Sequence, residues 1–261
     1  MTYSYRNIWQ VAFPILLSLL MEHLIGLTDT AFLGRLGGHA AEVALGASAL
    51  GGVYYIAVFM LGFGFSVGAQ ILMARRNGEE RFREIGPIFQ QSALFLLFLA
   101  SVVFAFSKLA APHVLRGLIS SEEIYRATLE YLDWRVYGFF FIFLAVIFRA
   151  YYVAVTRTRI LTINSVAMVL SNVVLNYGLI FGRFGLPALG IAGAAIASAV
   201  AELVSLVFFV VYTSTRVDWR RYDLFRRTKL RLRELGHVLS LSSWTMVQQF
   251  VAVGTWFLFF V

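Results

Sequence analysis

The sequence has no cysteine, only 4 prolines, and few acids: 14 Asp and Glu against 22 Lys and Arg in 261 residues. Without cysteine there is no disulfide, thiolate metal site or cysteine nucleophile, and nothing marks a redox compartment. The four histidines, His23, His39, His113 and His237, are scattered and match no zinc spacing such as HExxH. Neither a GxSxG elbow nor a GxxxxGK[ST] phosphate loop occurs. GFGFSVG (62–68) has the glycine content of a phosphate loop but lies inside an apolar helical run, not between a strand and a helix. No repeat at a solenoid period is visible. The motifs therefore do not point to an enzyme, and no cofactor or metal is expected.

Charge as a whole is sparse at 14%, whereas 60% of residues are hydrophobic and the mean hydropathy is +0.78. Soluble domains carry about 25% charged residues and about 45–50% apolar ones. This is the composition of a polytopic membrane protein, with seven apolar segments at roughly 8–33, 46–74, 86–110, 130–155, 160–182, 189–214 and 238–261. The first is no cleaved signal peptide: it is too long, holds two acids and lacks a small-residue cleavage pattern. The last contains no lysine, which excludes a retinal Schiff base there. Because the chain stops at Val261 inside the apolar run WFLFFV, it is expected to be the first part of a longer protein. Gly64 and Gly68, and Gly193, Ala197 and Ala201, have the small-xxx-small spacing of close helix packing.

The net charge of +8 is concentrated on one side. With the N-terminus inside, the inner connections carry fifteen Lys and Arg and the outer ones five (Arg35, Lys108, Arg116, Arg126 and Arg183). This positive-inside bias predicts a cytoplasmic N-terminus in a cytoplasmic membrane. RVDWRRYDLFRRTKLRLREL (216–235) is then a cytoplasmic linker, partly amphipathic, lying against anionic lipid headgroups rather than a nucleic-acid patch. Arg135 and Arg149 fall inside the fourth segment, and Arg149 is near enough to its inner end to snorkel.

FPILLSLLMEHLIGLTDTAFLG (13–34) is the segment that asks for a function. It holds Glu22 and Asp29, seven residues apart and so on nearly one helix face, about 10 Å apart along the axis. A carboxyl in a membrane span faces protein or water and marks a functional site by default; the alternative is a plain hydrogen bond to a neighbouring helix. Pro14, near the inner end, removes a backbone donor and lets the helix bend. Counted by depth, Asp29, Asn176 and Ser198 fall in the outer half of the membrane, and Glu22, Asn172 and Glu202 near its middle. Asn172 and Asn176, four apart, share a face. They are either interhelical glue or partners of Asp29 in a three-helix cluster.

Four stretches resemble the MATE (multidrug and toxic compound extrusion) transporters. They are FPILL…LTDTAFLGRLG, GFGFSVGAQILMARRNGE, FRAYYVAVTRTR and, the most specific, SNVVLNYGLIFGRFGLPALGIAGAAIAS. The resemblance spans essentially the whole chain. It implies an all-α membrane fold: a six-helix N-terminal lobe (1–214), a basic cytoplasmic inter-lobe linker (215–236) and the start of a seventh helix and second lobe (237–261) of a twelve-helix transporter. By position, Asp29 matches the first-helix acid implicated in proton coupling, Asn172 and Asn176 match polar fifth-helix positions of that site, and Ser198 stands where Thr is common. Two features depart from members that use other acids: the seventh helix shows Gln248 and Gln249 but no glutamate, and Asn176 replaces an acid of some archaeal members.

The function implied is secondary antiport of amphipathic or cationic compounds against protons, or sodium, by a monomer in contact with membrane lipids and not nucleic acid. Glu22 and Glu202 are candidate partners for substrate charge. A lipid-linked precursor flippase, expected to show a cationic cavity, and a seven-helix sensor, if the chain ends near Val261, are the alternatives.

Overall fold

A computed structural model describes residues 5–224 and 232–260, and among them every regular element is helical. The order is α1 (Tyr5–Leu33), α2 (Gly38–Gly78), α3 (Ile85–Leu109), α4 (Ala111–Leu118), α5 (Glu122–Arg135), α6 (Gly138–Ala154), α7 (Arg159–Phe181), α8 (Gly190–Arg216), α9 (Trp219–Tyr222) and α10 (Leu232–Phe260). Five of these stretches are long and apolar enough to cross a membrane, and α5 with α6 supplies a sixth if the bent pair is one crossing. That is the expected all-α membrane lobe. The helix α10 is not among the five, although it forms where the seventh segment was expected.

The fourth segment departs from a single run at 130–155. The helix starts eight residues earlier, at Glu122, and breaks by 53° between Arg135 and Gly138. Its first half, EEIYRATLEYLDWR, is polar, so a search for apolar runs passes over it. Ser121 caps that half by accepting from the Ile124 amide, and Glu122 and Glu123 occupy the first turn, where acids favour the helix dipole.

α2 is the longest element, 41 residues, and runs beyond both ends of the predicted 46–74. At its C-terminal end the Glu79 amide bonds the Arg75 carbonyl, and bonds from Arg75 and then Arg76 hold the Glu79 carboxyl far down, at about 2. α2 packs against α3, α5 and α6 on one side and α10 on the other; α7 sits between α1 and α8. The small-residue spacing is used at the α2–α10 contact. A Cβ at Gly64 would lie 2.6 Å from the Met246 Cα, and Gly68 faces Ser242, one turn away on α10. Ser242 Oγ in turn donates to the Phe65 carbonyl at 3.0 Å. On α8, Gly193 lies against the Leu179 backbone of α7 while Ala197 and Ala201 are buried.

Part of the 215–236 stretch docks on the lobe rather than standing clear of it. Tyr222 and Leu224 are buried, Gln90 donates to the carbonyls of Asp223 and Leu224, and the Arg221 guanidinium stacks on Phe82 at 4.0 Å. Residues 225–231, with most of the remaining basic side chains, lie outside the described residues.

Candidate functional site

Asp29 sits one turn from the C-terminal end of α1, where it meets α7 and α8. The residue is only 9% exposed. Asn172 and Asn176 of α7 both point their amides at one oxygen: Asn172 Nδ2 lies 3.1 Å and Asn176 Nδ2 2.5 Å from Asp29 Oδ1. The other oxygen, Oδ2, accepts from Ser198 Oγ of α8 at 2.7 Å. The partners are also tied together. Asn172 Nδ2 donates to Ser198 Oγ at 3.1 Å, and Asn176 Nδ2 donates to Asn172 Oδ1 at 3.1 Å. Asn172 and Asn176 are fully buried, and Ser198 nearly so. The i, i+4 spacing on α7 delivers two amides to one point. Small neighbours on α8 let its backbone come close enough for Ser198 to reach.

This arrangement suits a carboxylate, because every partner presents a hydrogen to it and none is itself charged. It also tolerates one proton. Ser198 accepts from Asn172, so its own hydroxyl hydrogen is free to turn; rotated away, Ser198 Oγ can accept from a protonated Asp29 Oδ2 while both amides stay on Oδ1. The remaining polar atom of the cluster, Asn176 Oδ1, is buried with no hydrogen-bond partner among the described residues.

The other expected residues go elsewhere. Glu202, one turn along α8 from Ser198, is gripped by Arg135 at the end of α5, with Nη2 to Oε1 at 2.6 Å and Nη1 to Oε2 at 2.9 Å. Tyr55 of α2 donates to the same Oε2 at 2.8 Å and lies under the Arg135 guanidinium, 3.6 Å from ring centre to Cζ. Glu22 pairs with Arg149 of α6, whose Nη2 also reaches Ser18 Oγ at 3.3 Å. Arg149 therefore does not snorkel: an acid within reach on α1 neutralises it inside the bundle, which costs less than leaving either charge unpaired in an apolar setting. Pro14 lies within a continuous α1, and its carbonyl accepts from Thr162 Oγ of α7 at 3.0 Å.

Arg135 and Tyr55 were missed by the sequence reading. A signal existed for Arg135, since an arginine in an apolar segment requires an acid partner, but the expected bounds of the fourth segment put it nearer the outer surface than Glu202. Tyr55 carried none.

The MatE family model matches residues 14–178. The chain belongs to the MatE family. This MatE chain is 30% identical over 251 residues to the "Probable multidrug resistance protein NorM" of Aromatoleum aromaticum, covering 93% of the chain and 53% of that protein. Its identity to the protein of the same description from Idiomarina loihiensis is 27% over 262 residues, covering 96% and 55%. The MatE chain thus spans about half the length of the curated relatives it matches. Its fold is that of a solved multidrug resistance MATE family transporter of the MOP superfamily in an outward-facing conformation. The TM-score is 0.82 at 20% identity, over 93% of this chain and 52% of that one.

Proposed function

We propose that this chain forms the N-terminal lobe (1–214), inter-lobe linker (215–236) and first part of the second lobe (237–261) of a secondary antiporter. Residing in the cytoplasmic membrane with its N-terminus inside, it exports amphipathic, often cationic, compounds in exchange for protons taken up at Asp29. The observation that carries the reading is a buried acid at the outer end of α1 whose partners are all neutral and one of which, Ser198, can reverse its hydrogen bond. The names of the similar proteins support drug-like substrates.

Shielding from water disfavours the charged form of a carboxyl, so its charge can change under working conditions. Protonation weakens the charge-assisted bonds from Asn172, Asn176 and Ser198. That frees the outer turn of α1 relative to α7 and α8, with Pro14 as the point of bending. One charge moving down 100 mV supplies about 2.3 kcal/mol, enough for roughly a fifty-fold gradient of an uncharged substrate. Protons are favoured over sodium because the oxygens of Asp29 face N–H and O–H donors, whereas a metal cation needs oxygen ligands turned toward it. Glu22 and Glu202 enter as members of ion pairs; each is neutralised by an arginine and offers no free charge to a cation.

The test is efflux of a lipophilic cationic dye from vesicles holding the protein made from its own gene, with pH and sodium gradients imposed separately. Export driven by the pH gradient alone is expected. Export that follows only the sodium gradient overturns the proton assignment, and none under either gradient overturns antiport.

A further inference from the structure

The coupling step above makes no use of Arg135 and Glu202, yet three helices converge to hold them. Both are buried, Arg135 at 8% and Glu202 at 5% exposure. Arg135 sits at the break between α5 and α6, its fork on Glu202 and its flat face on Tyr55. Tyr55 is itself stacked on Phe139 of α6 at 4.5 Å. The cluster is pressed onto the backbone at Gly138, where a Cβ would lie 2.6 Å from Arg135 Nη1 and 2.7 Å from Tyr55 Oη. A larger residue there would have to displace these side chains.

α8 connects this cluster to the acid of α1. Ser198, which donates to Asp29, and Glu202, which binds Arg135, are four residues apart and so on one face, about 6 Å along the axis. In a low-dielectric interior the two ends of a buried ion pair do not fully cancel, and a carboxyl bonded one turn along the same helix feels both. The remaining surroundings of Asp29 are sparse in charge. α7 offers it only the amides of Asn172 and Asn176, and α2 contributes Tyr55 beyond Glu202. Along α1, Glu22 is two turns away and paired with Arg149, and Arg35, in the turn after α1, is exposed.

We propose that Arg135 is a positioning residue for the proton step: clamped by Glu202 and Tyr55, it is a fixed positive charge that adjusts the pH at which Asp29 exchanges its proton. This rests on Asp29 being the exchanging acid. The role explains why a buried pair is kept where two apolar residues would serve packing as well. Glu202 divides the arginine charge, and the two together place the titration.

The test reads Asp29 directly, by infrared difference titration of its carboxyl band in the purified protein made from its own gene, assigned by its disappearance in Asp29→Asn. Glu202→Gln leaves the Arg135 charge undivided, and the midpoint is expected to fall by about one pH unit. Arg135→Gln leaves Glu202 unopposed, and the midpoint is expected to rise by about one unit. Arg135→Lys keeps the charge and is expected to stay within about 0.3 unit of the parent. A purely structural pair would not move the two neutral variants in opposite directions. If Arg135→Gln does not reach the membrane, the fall in Glu202→Gln against the unchanged Arg135→Lys carries the test. Midpoints that do not move, that move the same way, or an Asp29 band that never titrates overturn the proposal. Dye export measured on the same samples separates the two readings. Shifted midpoints with export indifferent to the pH gradient sink only proton coupling, and pH-driven export with unmoved midpoints sinks only the role of Arg135.

Discussion

Asp29→Asn should leave the fold standing and abolish the proposed export. In the parent, Asp29 accepts three hydrogen bonds, at 3.1, 2.5 and 2.7 Å, from Asn172, Asn176 and Ser198. Bonds to a charged acceptor are worth about 1.5–3 kcal/mol each. Against their sum stands the cost of burying the charge, which is several kcal/mol per ion. The two nearly offset. An asparagine fits the same site: its carbonyl takes the place of Oδ1 under the two amides. Its own amide faces Ser198, which turns its hydroxyl to accept. Stability is therefore expected to change by less than about 1.5 kcal/mol, a shift of a few degrees at most in thermal melting of the purified protein. Transport should fall from roughly a fifty-fold concentration ratio at 100 mV to none, because no charge remains to be moved. The assay is drug resistance of cells carrying the variant, with membrane abundance measured in parallel. Full resistance at normal abundance would refute the coupling argument. Loss of the folded protein would refute the account of how the site balances its charge.

Two further outcomes follow from the packing. Gly64→Ala should lower thermal stability by about 1–3 kcal/mol, since the added Cβ meets Met246 backbone that cannot yield. Gly52→Ala on the same helix, with open space around it, should be neutral or stabilising, and equal melting of the two variants would contradict the contact. Glu22→Gln and Arg149→Met should each destabilise, and the double variant should cost less than their sum by about 1 kcal/mol, a modest coupling because Glu22 is 35% exposed. Strictly additive melting shifts would mean that the pair contributes nothing.

Hydropathy alone determined the class of this protein and the position of nearly every crossing, because burying about 20 apolar residues in lipid leaves helices as the available structure. It also marked the acids, since an ionisable group in such a run stands out against its neighbours. Depth grouped Asp29, Asn176 and Ser198, and the i, i+4 spacing joined Asn172 to Asn176, before any contact was visible; the four do meet. Partnership was another matter. Depth is a one-dimensional coordinate, and it placed Glu22, Glu202 and Asn172 at one level without saying which helix faces which. Only the packing of α2, α5 and α8 decided that Glu202 belongs to Arg135 and Tyr55, and only the tertiary arrangement put Glu22 of α1 within reach of the long Arg149 side chain of α6. The break at Arg135–Gly138 was likewise a tertiary result. A polar half-helix has no signature in an apolar-run search, and at its end side chains of three helices converge on a backbone without a Cβ.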